Sequence, residues 1–273
     1  MGMAAAEVIA ARAAGQAGAA GVVQVTLRHT GRLNAMSRAM WQQLRAVFKD
    51  IQRSPGVRCV LIEGEGAAFC AGGDISEYPG FRFDAAALRE FHEGDVWGGL
   101  SAMLDCDVPI VAHIAGACMG AGVEIASCCD VRVAHGGARF GAPIARLGFP
   151  MAPREAQLVA GAVGEVTARQ MLLEAATFSA DEMFARGFLS RVVADEALAR
   201  EDALASACRI AALAPGAARL NKQTLRALKA PQPIDNPTHP TRLHHPPDPY
   251  AYADSAEHRE GITAFLEKRP PVF

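Results

Sequence analysis

The amino-acid sequence predicts an α/β fold followed by a largely helical C-terminal region. Short apolar runs of strand length alternate with helical periodicity in the first half of the chain, and helical periodicity dominates the second half. Of the 273 residues, 51% are hydrophobic, which is enough to form a large core. We expect an extension over residues 1–20, an α/β core over residues 21–205 and a helical region over residues 206–273.

The elements of the α/β core follow from the spacing of apolar residues. Apolar and polar side chains alternate over residues 22–27, which predicts a strand, and Ser37 is placed to cap the helix that follows. Residues 57–63, 108–114 and 131–134 are short, mostly apolar runs that predict further strands. Helices are predicted in the second half at residues 153–163, 166–175, 180–187, 197–213 and 215–230.

Two segments are predicted to lie outside the packed core. Residues 1–20 are rich in alanine and lack the basic start and uninterrupted apolar run of a secretory signal, so we expect a flexible extension. Residues 231–249 contain seven prolines, a density that neither a helix nor a central strand tolerates. That proline-rich segment is expected to form an extended linker or flap.

Composition and charge argue against several functional classes. The 27 Lys and Arg residues nearly balance the 29 Asp and Glu residues, and the net charge of −2 argues against nucleic-acid binding. No apolar run has the roughly 18–20 residues that a membrane-spanning helix needs. The seven cysteines contain no Cys-x-x-Cys pair, so we expect buried free thiols, no metal site and a cytoplasmic location.

Two glycine-rich segments are candidates for binding an anion. Residues 69–75 directly follow a predicted strand, and residues 119–124 open a predicted helix. Small residues let a ligand approach the main chain, and the first N–H groups of a helix lack intrahelical acceptors. Together the two segments could present two backbone N–H groups to one oxygen anion, whereas each segment alone is more simply explained as a tight turn.

Four short motifs occur in an order that is typical of one known family. They are Leu33-Asn34-Ala35 after the first strand, the segment 69–75, the segment 116–130 and the segment 260–270. With these motifs the chain resembles the crotonase superfamily of enoyl-CoA hydratases and isomerases. The resemblance extends from about residue 20 to the C-terminus and identifies the chain as a member.

The resemblance implies a crotonase-like spiral of repeated ββα units, with a helical C-terminal region that assembles trimers or pairs of trimers. It also implies an acyl-CoA thioester as substrate, and no separate cofactor, because coenzyme A is part of that substrate. Members of this superfamily bind the thioester oxygen with two backbone N–H groups and stabilise the enolate that forms at the α-carbon. In this chain those donors are expected at Gly73 and Ala121.

The resemblance implies one catalytic glutamate and the absence of another. Glu124 lies three residues after Ala121 and matches the glutamate with which family hydratases hold and deprotonate water. An alternative role for Glu124 is to pair with a backbone group or a buried arginine. The second glutamate of family hydratases follows a Phe-Gly-x-Pro stretch, and this chain has Ile144 at that position.

Another acidic residue is a candidate for the missing role. Glu155 lies near the start of a predicted helix and could reach the acyl pocket, although an ordinary first-turn glutamate is the simpler expectation. His92, Glu93 and Asp95 are expected on a solvated helix face.

Coenzyme A is expected to contact mainly backbone and a few side chains. The resemblance places five residues of the first turn and the first glycine-rich segment along it: Arg32, Leu33, Ala35, Ala71 and Ile75. Phe265 and Lys268 match a C-terminal helix that in relatives often reaches the nucleotide of a neighbouring subunit. An exposed surface role is the alternative for Lys268.

The resemblance implies a lyase or isomerase that acts on acyl-CoA thioesters, with Gly73, Ala121 and Glu124 at its catalytic centre. Hydration by two glutamates in their usual places is in doubt because Ile144 carries no acid. Isomerisation, decarboxylation and thioester hydrolysis stay open, as does a non-catalytic acyl-CoA-binding subunit. The acyl pocket is expected around residues 78–105 and 144–155.

Overall fold

A computed structural model describes residues 6–13, 19–229 and 255–273. Within these residues, the strands of the main sheet lie in the order β1 (Ala6–Arg12), β2 (Val22–His29), β3 (Cys59–Gly64), β4 (Ile110–Ile114), β6 (Val131–His135) and β9 (Arg191–Val193). β1 pairs antiparallel with β2, and the other neighbours are parallel. A smaller sheet has the order β5 (Ala117–Met119), β7 (Arg139–Gly141) and β8 (Thr177–Ser179).

Helices connect the parallel strands and continue to the end of the chain. They are α1 (Arg38–Arg53), α2 (Ala85–Glu90), α3 (Trp97–Asp105), α4 (Ala121–Ser127), α5 (Pro153–Val163), α6 (Glu165–Leu173), α7 (Ala180–Ala185), α8 (Glu196–Ala211), α9 (Pro215–Lys229) and α10 (Ala256–Leu266). Short 3₁₀ segments occur at Ile75–Gly80 and Ile144–Leu147, and a π-helical turn at Phe91–Val96 joins α2 to α3.

The main sheet is covered on both faces because its central strands are apolar on both sides. All five residues of β4 are buried, and the apolar side chains of β3 divide between two hydrophobic clusters. The larger cluster includes Trp41, Leu44 and Phe48 of α1. The smaller cluster joins the sheet to α8, and its members include Leu61, Val111, Val133, Ala203, Leu204 and Ala207.

The N-terminal segment is not the flexible extension that the sequence predicts. Residues Ala6–Arg12 form β1, with Ala6 opposite His29 and Arg12 opposite Val23 of β2. Val8 is buried, and its N–H donates a 2.8 Å hydrogen bond to Oε1 of Gln43. The prediction was wrong for these residues because the pairing is long-range and local composition carries no signal for it.

The C-terminal region docks on the core through polar groups. Arg226 of α9 donates a 2.8 Å hydrogen bond to the carbonyl of Leu104 and lies 2.7 Å from Oδ1 of Asp107, and Lys222 lies 2.8 Å from Oδ2 of Asp130. The predicted proline-rich flap at 231–249 lies outside the described residues. No helix among the described residues has both the length and the apolar character needed to cross a membrane.

Candidate active site

The turn after β2 lies directly against the first glycine-rich segment. Asn34 adopts a left-handed conformation with φ of 60°, and its side chain holds the turn in place. Its Oδ1 accepts the N–H of His29 at 3.0 Å, and its Nδ2 donates to the carbonyls of Glu65 at 2.9 Å and Ala68 at 2.8 Å. The N–H of Ala71 then donates to the carbonyl of Leu33 at 3.0 Å, which joins the turn to residues 69–75.

The two glycine-rich segments meet, as the sequence predicts. The N–H of Cys70 donates to the carbonyl of Ala117 at 2.9 Å, and the N–H of Met119 donates to the carbonyl of Cys70 at 2.9 Å. α4 follows at once and lies so close that a Cβ on Gly122 would be 2.5 Å from the carbonyl oxygen of Cys70. Gly120, with φ of 48°, makes the turn into α4 in a conformation that favours glycine. The glycines therefore hold the two loops in contact.

Gly73 and Ala121 carry free backbone N–H groups beside one cavity. Met36 pairs with the residues on either side of Gly73, donating to the carbonyl of Gly72 and accepting from Asp74, each at 2.8 Å. The N–H of Gly73 is left without an acceptor among the described residues. Ala121 is the first residue of α4, and its N–H is likewise unpaired within the described part of the chain. Both residues line the same cavity.

That cavity has a volume of about 250 Å³ and is bounded where the sequence predicts the acyl pocket. Its wall includes both glycine-rich loops, the π-helical turn and the segment leading into α5. Residues from the two predicted stretches that line it include Tyr78, Arg82, Phe91, His92, Val96, Ile144, Leu147, Phe149, Met151 and Glu155. Ile144 therefore places an apolar side chain in this wall, at the position where family hydratases carry an acid.

Glu124 projects a buried carboxyl group towards this cavity. The residue is 7% exposed, lies in the first turn of α4 and lines the cavity. No hydrogen bond or ion pair to its carboxyl group occurs within the described residues, so the alternative of a buried arginine or backbone partner gains no support there. Burial, reinforced by the carboxylate of Glu155, raises the pKa of Glu124 well above its ordinary value.

Glu155 and His92 form a pair inside the same cavity. α5 begins at Pro153, so Glu155 falls in its first turn, where it is 3% exposed. Nδ1 of His92 lies 2.9 Å from Oε1 of Glu155. His92 belongs to the π-helical turn, a geometry that is frequent at functional sites. The expectation that Glu155 is an ordinary first-turn glutamate does not account for its burial or for its contact with His92.

The prediction of a solvated face for His92, Glu93 and Asp95 is correct only for Glu93. The side chain of Glu93 is 45% exposed, whereas those of His92 and Asp95 are 19% and 11% exposed. Asp95 pairs with Arg38 of α1 at 2.7 Å. The wider π-helical turn changes which residues face inward, and ordinary helical spacing does not anticipate it.

Of the predicted coenzyme A contacts, Ala71 and Ile75 line this cavity, whereas Arg32, Leu33 and Ala35 lie in the turn bonded to that segment and do not line it. The chain turns at Leu33 with φ of 48°. Arg32 lies 3.3 Å from Oδ1 of Asp74, which also accepts from the backbone and hydroxyl of Ser76 and so braces its own loop. Ala35 adjoins this turn, and its N–H donates to the carbonyl of Arg32 at 3.0 Å.

Phe265 and Lys268 are not brought to the cavity within a single chain. Neither residue lines it, and Phe265, in the last turn of α10, is 81% exposed. Lys268 follows α10 with φ of 54°. The sequence-based prediction that these residues reach a neighbouring subunit is compatible with their exposure and stays a prediction.

Tyr78, Arg82 and Phe149 form a group in the structure that no sequence pattern singles out. The guanidinium carbon of Arg82 lies 3.4 Å from the ring centroid of Phe149 and 4.6 Å from that of Tyr78. The hydroxyl of Tyr78 lies beside the first glycine-rich segment, because a Cβ on Gly73 would be 2.3 Å from it. Burial raises the pKa of Tyr78, so the phenol stays neutral. No motif joins these residues, which meet only in the folded chain.

The chain is similar to known proteins over most of its length. The sequence model that describes enoyl-CoA hydratase/isomerase matches residues 17–273. The chain belongs to this family. Its fold is the crotonase fold that the sequence predicts, shared with an enoyl-CoA hydratase/carnithine racemase from Magnetospirillum magneticum at a TM-score of 0.84, with 34% identity over 93% of this chain and 92% of the other.

Other relatives of this family member cover nearly the whole chain. The probable enoyl-CoA hydratase echA8 of Mycobacterium tuberculosis is 31% identical over 249 residues, or 91% of this chain and 93% of the relative. A putative enoyl-CoA hydratase/isomerase family protein from Hyphomonas neptunium has a TM-score of 0.84 and 29% identity, covering 97% of each chain. The activity is therefore that of an enzyme of the enoyl-CoA hydratase/isomerase family.

Proposed function

We propose that this enzyme catalyses the reversible addition of water to 2-enoyl-CoA thioesters, with Glu124 and Glu155 as its two acid–base groups. The observation that carries the proposal is that both carboxyl groups are buried in the wall of one cavity with Gly73 and Ala121. Glu155 supplies from α5 the second carboxyl group that Ile144 lacks. With Glu155, the site has the two carboxyl groups that hydration requires, although the usual second glutamate is absent.

The two free N–H groups form the proposed oxyanion hole. The thioester carbonyl binds between the N–H groups of Gly73 and Ala121, which have no competing acceptor among the described residues. Negative charge grows on that oxygen as the enolate forms, and donors fixed in a water-poor cavity stabilise it without reorganisation. Removing one such donor typically costs about 10²–10³ in kcat.

We assign the roles of proton donor and base to Glu124 and Glu155 from the surroundings of each carboxyl group. Burial favours the neutral form of Glu124, so this group is the proton donor. Glu155, whose Oε1 lies 2.9 Å from Nδ1 of His92, is the proposed base. Two neighbouring carboxyl groups whose environments differ in this way divide into an acid and a base.

The proposed cycle conserves protons. Glu155 takes a proton from water as the water oxygen bonds to Cβ, and the electron pair of the Cα=Cβ bond moves towards the thioester to form the enolate. Glu124 then protonates Cα, which gives the 3-hydroxyacyl thioester. The site is restored when the proton on Glu155 passes to Glu124.

The test is hydration of crotonyl-CoA, followed by the loss of enoyl absorbance. Glu124→Gln and Glu155→Gln are each expected to lower kcat by roughly 10²–10⁴. Glu165→Gln is the matched control, because Glu165 lies on α6 with a side chain that is 74% exposed. Full activity of Glu155→Gln would remove the second carboxylate from the reaction. Tight acyl-CoA binding with no turnover would instead favour a non-catalytic subunit.

Coenzyme A binding and assembly complete the proposal. Arg32, Leu33 and Ala35 lie along the coenzyme, with Ala71 and Ile75 at the cavity mouth. Trimers or pairs of trimers bring Phe265 and Lys268 to the nucleotide of a neighbouring subunit, which is supported by the exposed apolar side chains of Phe265 and Leu266 (81% and 74%). Light scattering should give the mass of three or six chains, and a monomer with full coenzyme affinity would contradict this role.

A further inference from the structure

Arg82 is a cation in the wall of the reaction cavity. It also lines an apolar groove of about 520 Å³ beside that cavity, together with Phe83, Leu88 and Phe149. Its guanidinium group is held over two aromatic rings, at 3.4 Å from the centroid of Phe149 and 4.6 Å from that of Tyr78. Cation–π contacts of this kind fix the position of a guanidinium group while leaving its N–H donors free at the edges.

The guanidinium of Arg82 has no carboxylate at ion-pair distance within the described residues. Two other partly buried arginines pair with carboxylates, Arg38 with Asp95 at 2.7 Å and Arg226 with Asp107 at 2.7 Å, while Arg58 and Arg132 donate to backbone carbonyls. Glu155 lies near enough to influence Arg82 electrostatically, but its carboxyl group is held by His92. Arg82 therefore presents planar, charged donors to the cavity without a protein acceptor.

The position of Arg82 relative to Gly73 indicates which part of a bound substrate Arg82 would contact. Tyr78 spans the cavity wall between Arg82, which lies over its ring, and Gly73, which lies beside its hydroxyl. One tyrosine side chain thus separates the charged group from the proposed oxyanion donor. The cavity, of about 250 Å³, has room for a short acyl chain, and the adjoining groove of about 520 Å³ shares Tyr78, Arg82 and Phe149 with it.

We propose that Arg82 binds a carboxylate at the distal end of a short acyl chain, so that the substrates are enoyl-CoA thioesters of dicarboxylic acids. This inference rests on the proposed function and deepens it by naming the substrate class. A carboxylate can take two parallel N–H···O bonds from a guanidinium group, which gives geometric selectivity as well as binding energy. A neutral chain would leave the cation in the cavity without an acceptor.

The test compares glutaconyl-CoA, a 2-enoyl thioester with a terminal carboxylate, with 2-hexenoyl-CoA, which is neutral at the same end. The wild-type enzyme should have the higher kcat/KM for glutaconyl-CoA. Arg82→Gln should lower the ratio of the two kcat/KM values by about 10–100-fold, because a hydrogen bond to a charged group contributes roughly 1.5–3 kcal/mol. Arg82→Lys should keep part of the preference, as a point charge without the planar fork. Arg89→Gln on α2 is the matched control, since Arg89 is exposed and does not line the cavity.

The outcomes separate this inference from the reaction itself. An equal fall for both substrates in Arg82→Gln would show that the arginine only covers the aromatic rings and would overturn the inference. A wild-type preference for 2-hexenoyl-CoA would overturn it as well and assign the groove to a longer apolar chain. If neither thioester is hydrated, calorimetry decides: glutaryl-CoA should bind more tightly than hexanoyl-CoA, and only in the presence of Arg82. Equal binding of the two would refute the inference independently of hydration.

Discussion

Nδ1 of His92 lies 2.9 Å from Oε1 of Glu155, although 63 residues separate them in the sequence. The contact joins the π-helical turn to the first turn of α5 and fixes a carboxyl group that is 4% exposed. A buried carboxyl group costs free energy unless it has a hydrogen-bond partner, which His92 supplies. In the proposed reaction, the contact therefore holds the carboxyl group of Glu155 in position to accept a proton from water.

Replacing His92 tests this positioning role. His92→Phe keeps the bulk of the ring but removes the donor to Glu155, so kcat for crotonyl-CoA should fall by about 10–100-fold. His92→Asn places an amide N–H near the position of Nδ1 and should recover most of the activity, while the KM changes little in both variants. The comparison is made by steady-state kinetics, with Glu93→Gln on the exposed side of the same turn as the control. Equal loss in the Phe and Asn variants would contradict the role.

Glu124 should lower the stability of the folded protein at neutral pH. Its pKa is raised by burial, so the neutral form is favoured in the folded state while the unfolded chain ionises near 4.5. The contribution of Glu124 to the free energy of unfolding is thus fully present below pH 4.5 and is lost as pH rises towards the folded-state pKa. Glu124→Gln should match the wild type at low pH and be more stable at pH 8, as measured by urea unfolding. A constant difference across this range would contradict the shift, and Glu165→Gln serves as the control.

Much of the fold could be predicted because its signals are local. Ser37 caps α1 as expected, since its hydroxyl accepts the N–H of Met40 at 3.2 Å, and the helix buries apolar residues at helical spacing. β1 was missed because an alanine-rich segment becomes a strand only by pairing with β2. The three-residue strands β5 and β8 are likewise set by tertiary pairing rather than by local pattern.

The residues of the candidate site likewise differ in whether a local sequence pattern or only a tertiary contact identifies them. Gly73, Ala121 and Glu124 belong to short motifs, and the cavity indeed brings them together. Glu155 sits in an ordinary first turn after Pro153, so only the packing of α5 against the π-helical turn sets it apart. Arg82 has no sequence signal, because its unpaired state depends on which side chains surround it in three dimensions.

The contribution of Glu63 to the free energy of unfolding should depend on pH in the opposite sense to that of Glu124. Arg200 donates two hydrogen bonds of 2.9 Å to its carboxylate, and Nδ1 of His113 lies 3.4 Å from it. Burial alone would raise the pKa of Glu63, but these contacts outweigh burial and lower it below 4.5. Its contribution is thus present above pH 4.5 and is lost as pH falls through the lowered value. Glu63→Gln should cost about 1–3 kcal/mol at pH 7 by urea unfolding, with a gap that closes in acid. Glu65→Gln, at a side chain that is 44% exposed, should show neither effect.

Gly122 couples the packing of α4 to the proposed oxyanion hole. A Cβ at this position would lie 2.5 Å from the carbonyl oxygen of Cys70. That oxygen belongs to the backbone, which cannot turn aside as the end of a flexible side chain could. Gly122→Ala should therefore shift α4 and the N–H of Ala121, lowering stability by about 1–3 kcal/mol and kcat by roughly 10²-fold. Gly161→Ala on α5 is the matched control, because no atom lies within 4 Å of its added Cβ. That variant should keep full activity and gain about 0.4–1 kcal/mol in thermal or urea unfolding. Normal kcat in Gly122→Ala would show that the first turn of α4 does not hold the thioester oxygen.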